Sequence, residues 1–209
     1  MILYGYALSS ASFRVRIALA LKKITYEPII KNLKIGEHRL EDFLAINRFG
    51  MVPALELDDG TILTQSLAIL EYLEELCPQP ALLPKEPVGR ARVRALSQSI
   101  TSDVHPLNNL RVLRYLEQKL TLDQPTREAW YRHWIQVGFE GLEHTLAKDP
   151  ATGRYCHGDS VSMADLCLVP QVFNARRFAV DLHPFPKIVA IDAACRQLDA
   201  FTATAPQLS

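Results

Sequence analysis

Four short stretches of this chain place polar groups where a turn feeds a helix or a strand. The first is Ser9-Ser10-Ala11-Ser12. Its expected place is between an opening strand and a helix. A serine there accepts a hydrogen bond from an unpaired backbone N–H, so capping alone accounts for it. The position does more when an anion is brought to it. A helix N-terminus favours negative charge by about 0.3–1 kcal/mol. A hydroxyl donor beside a sulfur holds it as thiolate and lowers its pKa. The cluster contains no cysteine, so such a thiolate must come from a bound molecule.

The second stretch is Met51-Val52-Pro53, just before a strand. Proline cannot donate to a sheet ladder and belongs at a strand's first residue or edge. A cis Val52–Pro53 bond is the other reading, one that turns the Val52 N–H and C=O toward a ligand. The third is Gln65-Ser66, at the start of a helix. Ser66 is a candidate N-cap. Its hydroxyl, the free N–H groups behind it and the Gln65 amide also suit a carboxylate. The fourth, Ser162-Met163-Ala164-Asp165, has the spacing of a capping box, which explains Asp165 without a catalytic role.

Further on, Asp103, His105, Asn108, Asn109, Arg111 and Arg114 lie close together in sequence, with Arg176 and Arg177 later. Converging arginines suit a dicarboxylate through bidentate contacts, whereas scattered ones are ordinary surface. His105 is a candidate base or a structural residue. No His, Cys, Asp or Glu cluster has metal-ligand spacing. There is no phosphate-cradling Gly-rich loop and no G-x-S-x-G elbow.

Lys+Arg and Asp+Glu are both 23, so the formal net charge is zero, which speaks against a nucleic-acid binder that lives on phosphate contacts. No apolar run approaches the roughly 18–20 residues that cross a bilayer, and no secretory signal or membrane association is expected. The cysteines, Cys77, Cys156, Cys167 and Cys195, include no C-x-x-C pair. They read as small buried residues, reduced, in a cytoplasmic protein.

These residues need elements to position them. Strands are expected over Ile2–Tyr6, Tyr26–Ile30, Ala54–Leu57 and Thr61–Leu63, the last two joined by the hairpin turn Asp58-Asp59-Gly60. Helices are expected over Ser12–Lys23, His38–Ile46 and Ser66–Leu76. The order β-α-β-α-β-β-α makes a small mixed sheet. Residues 77–87 hold four prolines and read as a linker. The remaining pattern is helical: Val88–Leu120, broken or bent near His105-Pro106, then Thr126–Ala147, Ser162–Phe178 and one or two helices over Ile188–Phe201. The domain expectation is thus 1–80, a linker at 81–87, and an all-helical 88–209.

Together, these pieces resemble a glutathione transferase of the zeta class, which includes maleylacetoacetate and maleylpyruvate isomerases. The resemblance covers nearly the whole chain. It is carried by SSASFRVRIALALK (9–22), MVPAL (51–55), TQSLAILEYLEE (64–75), HPLNNLRVL (105–113) and MADLCLVPQVFNARRFAVDLHPFP (163–186). It implies a thioredoxin-like α/β N-terminal domain that binds glutathione, an all-α C-terminal domain, and a homodimer. By position, Ser9 and Ser10 match the serines near the glutathione sulfur. Val52, with Pro53 cis, matches the backbone contact to the cysteinyl part. Gln65 and Ser66 match the pair holding the γ-glutamyl carboxylate. His38 falls near a polar position that meets the glycyl end. Asn108 and Asn109 match a cleft-facing polar pair, and Arg177 matches an arginine facing the substrate carboxylate.

The resemblance implies glutathione-dependent cis–trans isomerisation of maleylacetoacetate or maleylpyruvate. General conjugation of glutathione to electrophiles or α-halo acids, and a non-catalytic binding module, are the alternatives. Three departures stand out. Zeta proteins commonly read Arg-Ser-Ser-Cys where this chain reads Leu8-Ser9-Ser10-Ala11, and Arg48 stands where the family often has proline. Losing the Arg removes a carboxylate anchor worth roughly 1.5–3 kcal/mol, for which Arg111 or Arg177 would compensate.

Overall fold

A computed structural model describes residues 1–207. The chain forms two compact units. One is Met1–Leu82 together with the segment that begins at Leu198; the other is Leu83–Gln197.

The first unit runs β1 (Ile2–Gly5), α1 (Ser10–Leu21), β2 (Glu27–Ile30), a 3-10 turn (Glu37–Arg39), α2 (Glu41–Ile46), β3 (Ala54–Glu56), β4 (Ile62–Thr64) and α3 (Ser66–Leu76). The sheet order is β2-β1-β3-β4. β1 and β2 are parallel, with Gly5 opposite Ile30. β3 is antiparallel to β1, with Tyr4 opposite Ala54. β4 is antiparallel to β3, with Ala54 opposite Thr64. The hairpin forms at the expected turn: Gly60 has a positive φ, Leu57 N–H donates to the Thr61 carbonyl, and Thr61 N–H donates to Asp59 Oδ1. On one face Tyr4 and Ala54 join Phe43 and Val52 in a buried cluster. Alternation along the strands puts Leu3 and Leu55 on the other face. The packed pair α1 and α3 buries Val15, Ile17, Leu19, Ile69, Leu70 and Leu73.

Two sequence expectations shift in this unit. The helix expected over 38–46 is interrupted at Leu40, whose extended backbone ends the 3-10 turn and starts α2. The expected Ser66 cap is corrected: Gln65 occupies the N-cap position and Ser66 is the first helical residue.

The second unit is helical: α4 (Pro87–Gln98), α5 (Leu110–Gln118), α6 (Gln124–Lys148), α7 (Met163–Arg177) and α8 (Pro186–Cys195). The expected bend is a π-helical stretch, Ser99–Val104, closed by an N–H bond from His105 to the Ile100 carbonyl. The chain turns over His105–Asn109 and restarts at α5. Ser162 and Asp165 form the expected capping box: Ser162 N–H and Oγ both donate to Asp165 Oδ2, and Cys156 N–H donates to Oδ1.

The last helix, α9 (Asp199–Thr202), belongs with the first unit, where it packs on α1. Phe201 is buried, and Arg16 Nε donates to the Thr204 carbonyl. The segment that begins at Leu198 thus attaches to the N-terminal unit.

Candidate glutathione site

The strand register brings four segments to one end of the sheet. β1 and β2 are parallel and both finish there, leading to Ser9-Ser10 and to His38. β4 finishes there too, leading to Gln65-Ser66. β3 runs the opposite way and starts there, directly after Val52-Pro53. Residues 9, 38, 52 and 65, far apart in sequence, thus emerge around the carboxyl ends of three strands. That is where open α/β sheets bind ligands.

Each segment is fixed locally. Ser9 is the N-cap of α1, and its Oγ accepts from Ser12 N–H at 3.2 Å. Because Oγ accepts there, the Ser9 hydroxyl proton is left to donate elsewhere. Ser10 opens the helix and is buried. The first turn of α1 contains no acidic residue, so nothing on the helix itself neutralises its N-terminal field. The preceding loop is clamped by Arg16, whose guanidinium donates to the carbonyls of Tyr6 and Ala7.

The Val52–Pro53 peptide is cis. Val52 lies outside the β3 ladder, which begins at Ala54. Its loop is held by Asn47 Nδ2, which donates to the Met51 carbonyl at 2.7 Å. His38 is buried in the 3-10 turn, with its carbonyl against Gly50. Gly50 has φ +57, and an added Cβ would lie 2.9 Å from that carbonyl oxygen, so both conformation and space require glycine.

At Gln65 the backbone has φ 67 and ψ 116, a sparsely populated conformation for a residue with a side chain. Such geometry costs about 1–3 kcal/mol and concentrates at ligand sites. Gln65 makes no side-chain cap, and the first turn of α3 has no acidic residue. Helix geometry leaves the first N–H groups of α3 without intrahelical partners. Ser66 is buried beside them, and its Oγ accepts from Arg14 at 3.1 Å. A carboxylate is the chemical complement of this arrangement.

The second unit carries the other sequence candidates. Asn108 is buried, and among the described residues neither its Oδ1 nor its Nδ2 has a partner. Asn109 caps α5, its Oδ1 accepting from Arg111 N–H. Arg111 is exposed on the first turn of that helix. Arg177, also exposed, lies over the ring of Phe178, which stacks on Tyr131 at 3.7 Å. Arg176 is committed elsewhere, in an ion pair with the buried Asp192 at 2.7 Å.

Among the cysteines, Cys156, Cys167 and Cys195 are buried, and Cys77 is partly so. Burial pushes the thiols of Cys156 and Cys195 up, away from thiolate formation. Neither is a resident nucleophile. The arginines Arg14 and Arg16 were not among the sequence candidates. The signal for them was present: two charges in a helix whose other residues are almost all small or apolar have to be partnered.

A β2-β1-β3-β4 sheet carrying a serine-capped α1, a cis-proline loop and an uncapped α3 is the thioredoxin-like half of a glutathione transferase. Residues 8–76 match the family model for the glutathione S-transferase N-terminal domain. A maleylpyruvate isomerase from Ralstonia sp is 48% identical over 206 residues, covering 99% of this chain and 97% of the relative. The rat maleylacetoacetate isomerase is 48% identical over 207 residues, covering 98% and 92%. Among solved structures, a holo maleylpyruvate isomerase, a bacterial zeta-class glutathione S-transferase, superposes with TM-score 0.96 at 48% identity, covering 99% and 97%. A maleylacetoacetate isomerase from Methylobacterium extorquens AM1 with bound malonate and glutathione gives TM-score 0.97 at 43% identity, covering 99% and 96%. The chain belongs to the zeta-class glutathione transferases, the maleylacetoacetate isomerase family.

Proposed function

We propose that this protein is a glutathione-dependent cis–trans isomerase of an unsaturated diketo acid, maleylacetoacetate or maleylpyruvate. The observation that carries this reading is the convergence of Ser9-Ser10, Val52-Pro53 and Gln65-Ser66 at one end of the sheet, at two helix N-termini with no acid in their first turns.

When bound, glutathione would supply the thiolate nucleophile for reversible addition to the activated double bond, and it would be returned unconsumed. The chain's residues have four tasks. Ser66, Gln65 and the N-terminus of α3 hold the γ-glutamyl carboxylate. The Val52 backbone holds the cysteinyl part, and His38 lies on the side of the glycyl end. Ser9 and Ser10 donate to the sulfur, with the N-terminal field of α1 behind them, and keep it deprotonated at neutral pH. Arg111 and Arg177 hold substrate carboxylates and steady the negative charge that develops on the carbonyl side of the double bond. Asn108 and Asn109 supply further polar contacts to the bound tripeptide.

We infer a cytoplasmic homodimer: kinship with zeta-class transferases implies the dimer, and four cysteines without a C-x-x-C pair suit a reducing compartment. Among the described residues no helix is long and apolar enough to cross a membrane. The test is turnover of maleylacetoacetate and maleylpyruvate with and without added glutathione. The expected result is a product of unchanged mass, formed only when the tripeptide is present, with the tripeptide recovered. Isomerisation at full rate without it overturns the reading.

A further inference from the structure

Arg14 is 1% exposed, although it sits on α1 among residues that build the apolar core. Its NH1 donates to Ser66 Oγ across the α1–α3 packing at 3.1 Å. We propose that Arg14 is a positioning residue for the carboxylate at the N-terminus of α3, acting through the Ser66 hydroxyl. The inference rests on the assignment of Ser66 to the γ-glutamyl carboxylate.

A guanidinium has donors only, so Ser66 Oγ must be the acceptor in this contact. The single hydroxyl proton of Ser66 is therefore free to point away from Arg14. A serine that otherwise both donates and accepts is converted into a dedicated donor, which is what an anion requires. Chained hydrogen bonds also polarise one another, and a charged donor at the head strengthens the next bond in the chain. Ser66 is itself buried, so its orientation is set by Arg14 and not by water.

Charge points the same way. A guanidinium enclosed by protein is poorly screened by salt, and it lies behind a helix end that already favours anions. Gln65, held in its strained conformation without a side-chain cap, leaves that helix end open. Arg14 therefore acts on the carboxylate at one remove, through a group that touches it.

The test compares two peptides on the whole protein by calorimetric titration: glutathione, and 4-aminobutyryl-cysteinyl-glycine, which lacks only the γ-glutamyl α-carboxylate. Arg14→Gln is expected to weaken glutathione binding about 10-fold or more, the scale of a lost hydrogen bond to a charged group. It should leave binding of the carboxylate-free peptide within about twofold. In a Ser66→Ala background, Arg14→Gln should have little further effect. Equal losses for both peptides, or no loss for glutathione, overturn the role of Arg14. If Arg14→Gln does not fold, Arg14→Lys, which keeps the charge and most of the stem, is read in the same way with a smaller selective loss expected. Failure of both to fold makes Arg14 a residue of the core and overturns the assignment. Failure of the wild-type protein to bind glutathione, or equal loss of both peptides in Ser66→Ala alone, sinks instead the reading of the site on which this one rests.

Discussion

Lys22 Nζ lies 2.8 Å from Glu74 Oε2, joining the end of α1 to α3, and both side chains are at least nine-tenths buried. The pair is not isolated. Lys22 also donates to the carbonyls of Cys77 and Pro80, and Glu74 accepts from Leu82 N–H. Two buried charges thus satisfy the backbone of the proline-rich turn that closes the first unit. Removing one partner strands the other charge, at about 3–5 kcal/mol. Glu74→Gln and Lys22→Met should each lower the urea midpoint accordingly. The Lys22→Met/Glu74→Leu double variant should lose less than the sum. Additive losses would mean that the two charges do not depend on each other.

Tyr4 donates to Glu56 at 2.7 Å, which with burial and the nearby carboxylate charge raises its pKa from 10.0 to about 12. The folded state therefore holds this proton over a range where the unfolded chain releases it. The resulting stabilisation is complete below pH 10 and disappears as pH rises through about 12. Urea unfolding across that window should show stability falling with pH. Tyr4→Phe should be less stable at neutral pH and flatten the alkaline slope. An unchanged slope in Tyr4→Phe would assign the decline to other groups.

Much of this was legible in the sequence, for identifiable reasons. Asp58-Asp59-Gly60 encodes its turn through a positive-φ glycine and an aspartate that bonds two residues on, so the hairpin was local information. The Ser162/Asp165 box was legible for the same reason. The site was legible as separate fragments, because serine before an apolar helix has few roles. Their convergence was not, since it depends on strand order and register. The Ser66 correction shows the limit. Its type and place read as a cap, but a guanidinium 52 residues away claims its oxygen. The interruption at Leu40 was missed because the apolar spacing runs on through it while the backbone does not.

Ser9 and Ser10 occupy adjacent positions but are built differently, and their alanine variants should separate. Ser9→Ala loses a cap worth about 1 kcal/mol as well as the donor proposed for the sulfur. Ser10 is the first helical residue and not the cap, so Ser10→Ala tests the donor without that cost. Loss of a hydrogen bond to a thiolate, about 1.5–3 kcal/mol, corresponds to about 1–2 pKa units at 1.36 kcal/mol each. The thiolate absorbance of bound glutathione, titrated against pH, should shift up by that amount in whichever variant removes the principal donor. Thermal denaturation should show a stability loss for Ser9→Ala in particular. If neither variant nor the double variant moves the titration, these serines do not hold the sulfur.

Gly138, in α6, faces Val104 at the end of the π-helical stretch, and a Cβ there would stand 2.1 Å from Val104 Cγ2. Alanine ordinarily gains about 1 kcal/mol over glycine inside a helix. Overpacking a filled contact costs about 1–3 kcal/mol, and at this distance the steric term wins. Val104 is 2% exposed, so it has little room to retreat except by moving the backbone that leads into His105–Asn108. Gly138→Ala should therefore lower the melting temperature and displace Asn108, weakening the glutathione contact proposed for that side chain. Val104→Ala should restore part of the loss in the double variant, although alone it leaves a cavity. A higher melting temperature for Gly138→Ala would show that this contact yields, and the close approach of the two segments would then have no part in holding the turn at Asn108.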